Sequence, residues 1–113
     1  MTEEQAARRA FDRAVAIVKD EILLHERPHM AEPGWFLRRK LRRALALFDR
    51  VLQTKPDSWN TMWLMAKVHQ RLGDKATAFS WMERAYLINP SQLDVTREAS
   101  LMASDLGRQD SGI

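Results

Sequence analysis

No cysteine occurs anywhere in this chain, which excludes disulfides, thiolate metal sites and cysteine nucleophiles. A chain without disulfides suits a reducing compartment. No apolar run approaches the ~18 residues needed to cross a bilayer. The amino-terminal Met1-Thr2-Glu3-Glu4-Gln5 lacks the basic-then-apolar layout of a secretory signal. The expectation from both is a cytoplasmic protein. Sustained strand-type alternation is missing as well, so the expected class is all-α. With 113 residues and 45% hydrophobic content, the chain can bury one core as a single domain.

Helical periodicity is plentiful. Thr2 with Gln5 forms a capping-box signature, opening a helix expected to reach about Leu24, with Phe11, Ala14, Val15, Val18 and Ile22 as its buried stripe. Pro28 and Pro33 place a connection over 25–33, since proline lacks an N–H and clashes with the preceding turn. A second helix is expected from Trp35 to Gln53, burying Leu37, Leu41, Ala44, Phe48, Val51 and Leu52, and ending before Pro56. The third runs from about Ser58 to Arg71, with Asp57 or Ser58 as cap and Met62, Met65, Ala66, His69 and Leu72 inward. Gly73 is the candidate left-handed terminator. The fourth spans Lys75 to Leu87 and buries Ala78, Phe79, Met82, Ala85 and Tyr86; the fifth spans Gln92 to Leu106, offers Val95, Ala99, Met102 and Leu106, and is closed by Gly107. A polar tail over 108–113 completes the chain.

The punctuation repeats. Pro56 and Pro90 are 34 residues apart, as are Leu72-Gly73 and Leu106-Gly107. A fixed period of this size marks stacked supersecondary units. Residues 58–90 hold Met62, Met65, Ala66 and His69, then Ala78 and Met82, then Ala85 and Pro90. This stretch resembles a tetratricopeptide (TPR) repeat, whose pattern is W-x2-L-G-x2-Y, A-x3-F, then A and P. Small alanines allow close helix approach, and methionines fill the gaps. Ala44, Phe48 and Pro56 match the second helix of an upstream copy, while Ala99, Ser100, Leu106 and Gly107 suit a first helix downstream. The resemblance covers about residues 35–107 and includes one complete repeat. It implies stacked antiparallel helical hairpins, about five helices with a right-handed superhelical curl, in one domain over 1–107. Helix 92–106 would then serve as a cap.

Charge is uneven: residues 1–56 carry 12 Lys/Arg against 8 Asp/Glu, and residues 57–113 carry 6 against 7. The excess sits largely in Arg38, Arg39, Lys40, Arg42 and Arg43, which fall opposite the apolar stripe of their helix. The plain reading is a solvated outer face. The rival is a patch for an acidic protein surface, with nucleic acid behind it.

His25-Glu26-Arg27-Pro28-His29 matches H-E-x-x-H literally. That zinc chemistry needs both histidines on one face of a continuous helix, and Pro28 breaks it. The expectation is a solvated loop with no metal, no cofactor and no catalytic residue. His69, on the apolar face, is expected to be a packed core histidine.

Among the tryptophans, Trp59 is expected to wedge against a neighbouring hairpin and Trp35 to pack back on the preceding loop. Trp81 suits convex-side packing or a self-association contact. Trp63 shares a stripe with Asn60, Lys67, Gln70 and Arg71. One period on stand Asp94, Arg97, Leu101, Ser104 and Asp105. In the TPR family this stripe faces a concave peptide groove. Trp63 either opens into that groove or lies under the first helices. The Lys, Asn and Arg clamp with which some TPR domains grip a terminal carboxylate is not matched, because Trp63 and Leu64 stand beside Lys67, and Glu98 beside Arg97. The resemblance implies a non-catalytic adaptor or chaperone-like module. It would hold a partner's peptide or helix between Asn60, Trp63, Lys67, Gln70, Arg71, Asp94, Arg97 and Leu101, with an apolar side chain on Trp63 and acidic groups on Lys67, Arg71 and Arg97. Barely two and a half repeats make self-association, even a purely structural homodimer, an alternative.

Overall fold

A computed structural model describes residues 2–19 and 34–110, with side chains described as far as residue 104. Five helices follow one another: α1 (Glu3–Val18), α2 (Trp35–Thr54), α3 (Trp59–Leu72), α4 (Lys75–Ile88) and α5 (Leu93–Asp110). The described residues contain no strand, so the chain is all-α. The expected extension of the first helix to Leu24, and the whole His25–His29 motif, lie outside the described residues.

Local chemistry sets the helix ends. Thr2 Oγ1 accepts from Gln5 N at 3.2 Å, and Thr2 N donates to Gln5 Oε1 at 3.1 Å. This reciprocal box satisfies two amides that the first turn leaves without partners. Ser58 is the N-cap of α3, but its hydroxyl does not cap the helix. It donates instead to Asn60 Oδ1 at 2.7 Å and lies 2.7 Å from Thr61 Oγ1, while Asn60 Oδ1 also accepts from Thr61 N at 3.0 Å.

Gly73 ends α3 in the left-handed conformation, with φ 89°. Its amide donates to Gln70 O at 3.1 Å and the Asp74 amide to His69 O at 2.9 Å, the paired bonds of a Schellman motif. Asp74 then caps α4 by accepting from Thr77 N at 3.3 Å. A Cβ added at Gly73 would meet nothing within 4 Å, so the strain of a substitution would be all backbone. Gly73→Ala is expected to destabilise the chain by about 1–2 kcal/mol, read as a lower urea midpoint at unchanged slope.

Each helix packs on its neighbours in sequence: α1 on α2, α2 on α3, α3 on α4 and α4 on α5. Only residues 73 and 74 separate α3 from α4, too short a link for anything but an antiparallel hairpin. α3 is the shared element. Its Leu64, Met65 and Val68 join Ala14, Val18, Leu41, Ala44 and Phe48 in one cluster. Its Met62 and Ala66 join Ala78, Met82, Ala85, Val95 and Met102 in the other.

Several details differ from the sequence reading: Leu37, Leu52, His69, Leu72, Phe79 and Ala99, expected inside, are only half-buried. Tyr86, expected inside, is exposed, because Met82 and Ala85 already fill the α4–α5 seam. Ala7 and Ala10 are buried, while the larger Phe11 and Val15 only half are; small side chains let α1 approach α2 closely. Finally, α5 does not stop at Gly107 but continues to Asp110. Glycine costs a helix interior only about 1 kcal/mol, and Arg108 and Gln109 are strong helix formers.

Candidate functional site

An open cleft of about 350 Å³ runs between α3 and α5. Lys67 and Gln70 line it from α3; Glu98, Leu101 and Met102 line it from α5. The period explains the pairing: Lys67 and Leu101 are 34 residues apart, so they hold equivalent places on successive first helices. Met102 belongs to the core and closes the floor at 7% exposure, whereas Leu101 stands 63% exposed at the rim.

Glu98 organises the cleft. Its Oε1 accepts from Lys67 Nζ at 2.8 Å, and its Oε2 accepts from the Trp63 indole Nε1–H at 3.0 Å. Lys67 Nζ also lies 5.1 Å from the Trp63 ring centroid, within cation–π range. The two charged side chains retain only 20% and 18% exposure, so solvent screens the pair less than it would a surface salt bridge. Sequence reasoning placed Glu98 beside Arg97 but missed this role. The available signal was the register: Glu98 follows by one residue the position that matches Trp63, and a 100° rotation turns it toward α3.

The residues expected in the groove therefore divide. Lys67, Gln70 and Leu101 converge on the cleft. Trp63 is half-buried, packs against both core clusters and has its indole N–H engaged; it is neither an open anchor nor fully covered. Lys67 is matched by Glu98 rather than left for a partner's acid. Asn60 is occupied at the start of α3. Arg71 is half-buried at the end of the same helix and does not line the cleft. Asp94 and Arg97 form an exposed pair at 3.7 Å.

His69 is half-buried, with Nδ1 3.9 Å from Asp74 Oδ2. Burial pushes its pKa below the ordinary histidine value, and Asp74 offsets this only in part. Asp74 is itself held below the ordinary carboxylate value, first by its hydrogen bonds from Thr77. Below pH ~6.5 the unfolded chain protonates its histidine more readily than the folded chain does. Stability from His69 is therefore complete above that pH and falls as acid approaches the lower folded value. His69→Gln should flatten the slope of melting temperature against pH between about 7 and 5, leaving the carboxylate contribution of Asp74 to be lost at lower pH.

On α2, Arg39, Arg42 and Arg43 are exposed and Arg38 is half-buried. Trp35 and Phe36 are 64% and 80% exposed; the loop on which Trp35 was expected to pack lies outside the described residues. Trp59 is partly buried against the α3–α4–α5 cluster. Trp81 touches both clusters and carries Arg84 at 4.4 Å over its ring. Among the described residues no three His, Asp or Glu side chains are grouped to hold a metal ion, and no helix is long and apolar enough to cross a membrane.

The geometry is that of an all-α chain of helical hairpins with a side-chain-lined cleft. No family model matches the chain, and no solved structure matches it. The sequence is similar to the transcription factor tau 131 kDa subunit of Saccharomyces cerevisiae, at 26% identity over 73 residues. The matched stretch covers 65% of this chain but only 7% of that protein.

Proposed function

We propose that the chain is a non-catalytic, TPR-like interaction module that takes a peptide or short helix of a partner protein into the α3–α5 cleft. The carrying observation is the convergence of Lys67, Gln70, Glu98, Leu101 and Met102 on one open cleft. The 34-residue register and the likeness to a transcription factor subunit support it. The exposed Leu101 and the Met102 floor supply apolar contact, and flexible methionine adapts to differing side chains. The Lys67–Glu98 pair offers both charge signs to a partner's polar groups, so the module favours an amphipathic segment over a strongly acidic one.

The reading is tested by selecting peptides from a display library against the folded chain. Each selected peptide is then titrated into 15N-labelled protein. Shifts should concentrate on the Trp63 indole N–H, Lys67, Gln70 and Leu101, and Leu101→Asp should weaken binding at least tenfold. Perturbations confined to the outer face of α2 would sink the cleft assignment.

A further inference from the structure

α2 carries Arg38, Arg39, Lys40, Arg42, Arg43 and Arg50 against one acid, Asp49, a net charge of +5 on a single helix of a chain whose total is +3. The remaining residues are therefore acidic on balance, and the positive field is local. Trp35, Arg39, Arg42, Arg43, Ala46 and Arg50 recur at the spacing of one helical stripe, and all six are exposed. The stripe is about 22 Å long at 1.5 Å per residue. Among the described residues, no ion pair consumes Arg39, Arg42, Arg43 or Arg50.

An aromatic pair stands at the head of this stripe. Trp35 and Phe36 meet edge to face at 4.7 Å. The Arg39 guanidinium lies 5.6 Å from the Trp35 ring centroid. A merely solvating helix face gains nothing from exposing its two largest apolar side chains. Insertion into a bilayer does not account for them either. The apolar face of α2, made by Leu41, Ala44, Phe48 and Val51, is already buried in the core, and the outer stripe beyond Trp35 is arginine and alanine. An acidic polypeptide would use the cations but give the rings no role. A polynucleotide strand uses both, since phosphates pair with a row of arginines while unpaired bases stack on aromatic faces.

We propose that the outer face of α2 binds single-stranded polynucleotide, with phosphates on Arg39, Arg42, Arg43 and Arg50 and a base stacked at Trp35 and Phe36. The site is on a different element from the cleft and stands or falls independently of it. The contacts proposed are to phosphates and base faces, which RNA and DNA strands share.

The test uses fluorescence anisotropy of labelled oligo-dT and oligo-U of about 12 nucleotides, titrated with the full chain over a salt series. Polyglutamate serves as competitor, and anionic phosphatidylserine vesicles form a separate arm. Both oligonucleotides should bind, with log K falling against log salt at a slope of about −2 to −3, as expected for three or four neutralised phosphates on a single strand. Arg39→Glu/Arg43→Glu should abolish binding. Trp35→Ala/Phe36→Ala should weaken it roughly tenfold or more while leaving the salt slope intact, because stacking carries no counterion release. Arg42→Gln/Arg50→Gln, milder changes at exposed positions, should shallow the slope by about one. Polyglutamate competing as well as an oligonucleotide of equal charge, or vesicle binding without oligonucleotide binding, overturns the proposal. So does an aromatic variant that binds as tightly as wild type.

Discussion

Phe48→Ala is expected to destabilise the chain by about 3–5 kcal/mol, the usual cost of emptying a large buried aromatic site. Phe48 is fully buried in the cluster that ties α1 and α2 to Leu64, Met65 and Val68 of α3. Its ring meets Phe11 edge-on at 5.9 Å and 65°, an arrangement that adds to simple area burial. Domains of this size are stable by about 5–15 kcal/mol, so the variant should lose a substantial share of the total. Urea titration followed by far-ultraviolet circular dichroism reads the change directly. Phe48→Leu, which keeps most of the volume, should recover much of it. Leu101→Ala, at an exposed rim position, should stay within about 0.5 kcal/mol of wild type. If Phe48→Ala cost less than about 1 kcal/mol, the α1–α2 hairpin would not be coupled to α3 through the cluster around Phe48.

Much of this core was legible because helical burial is periodic. Leu41, Ala44, Phe48 and Val51 fall where the 3.6-residue repeat puts them, and all are buried. The Gly73 turn was legible because a left-handed residue with no Cβ has few substitutes. Buried Thr61, Leu64 and Val68 were not foreseen. A single amphipathic stripe describes only part of α3, because this helix is covered on two sides by the two clusters. The register that pairs Lys67 with Leu101 could be counted from the sequence, so part of the cleft could be anticipated. The destinations of Trp63 and Glu98 could not, because they depend on how closely α5 approaches α3, and side-chain direction across a cleft is set by tertiary packing. The exposure of Trp35 and Phe36 was equally hidden. Aromatic residues at a helix start are read by default as packed, and only the observed solvent contact separates them from Trp59, which is partly buried.

Glu98→Lys is the most informative change at the cleft. It replaces the shared acceptor of Lys67 and Trp63 with a second cation beside the first, where the native contact is 2.8 Å. Two effects add: a partly buried lysine loses its partner, and the indole N–H loses its acceptor. An unsatisfied buried polar group costs about 1–3 kcal/mol, and like charges in contact raise the total, so a loss of about 3 kcal/mol is expected. The exchange Lys67→Glu/Glu98→Lys restores opposite charges but removes the carboxylate at position 98 to which the indole donates. It should recover the ionic part and leave a residual deficit. Trp63→Phe in the exchanged background should then cost less than Trp63→Phe in wild type, because the hydrogen bond is already gone. Full recovery by the exchange would mean that the Trp63–Glu98 bond contributes nothing and that Trp63 is held by packing alone. A partial recovery, with a smaller Trp63→Phe cost in that background, is what a three-membered lock demands. It would make Glu98 the residue that fixes the form of the cleft.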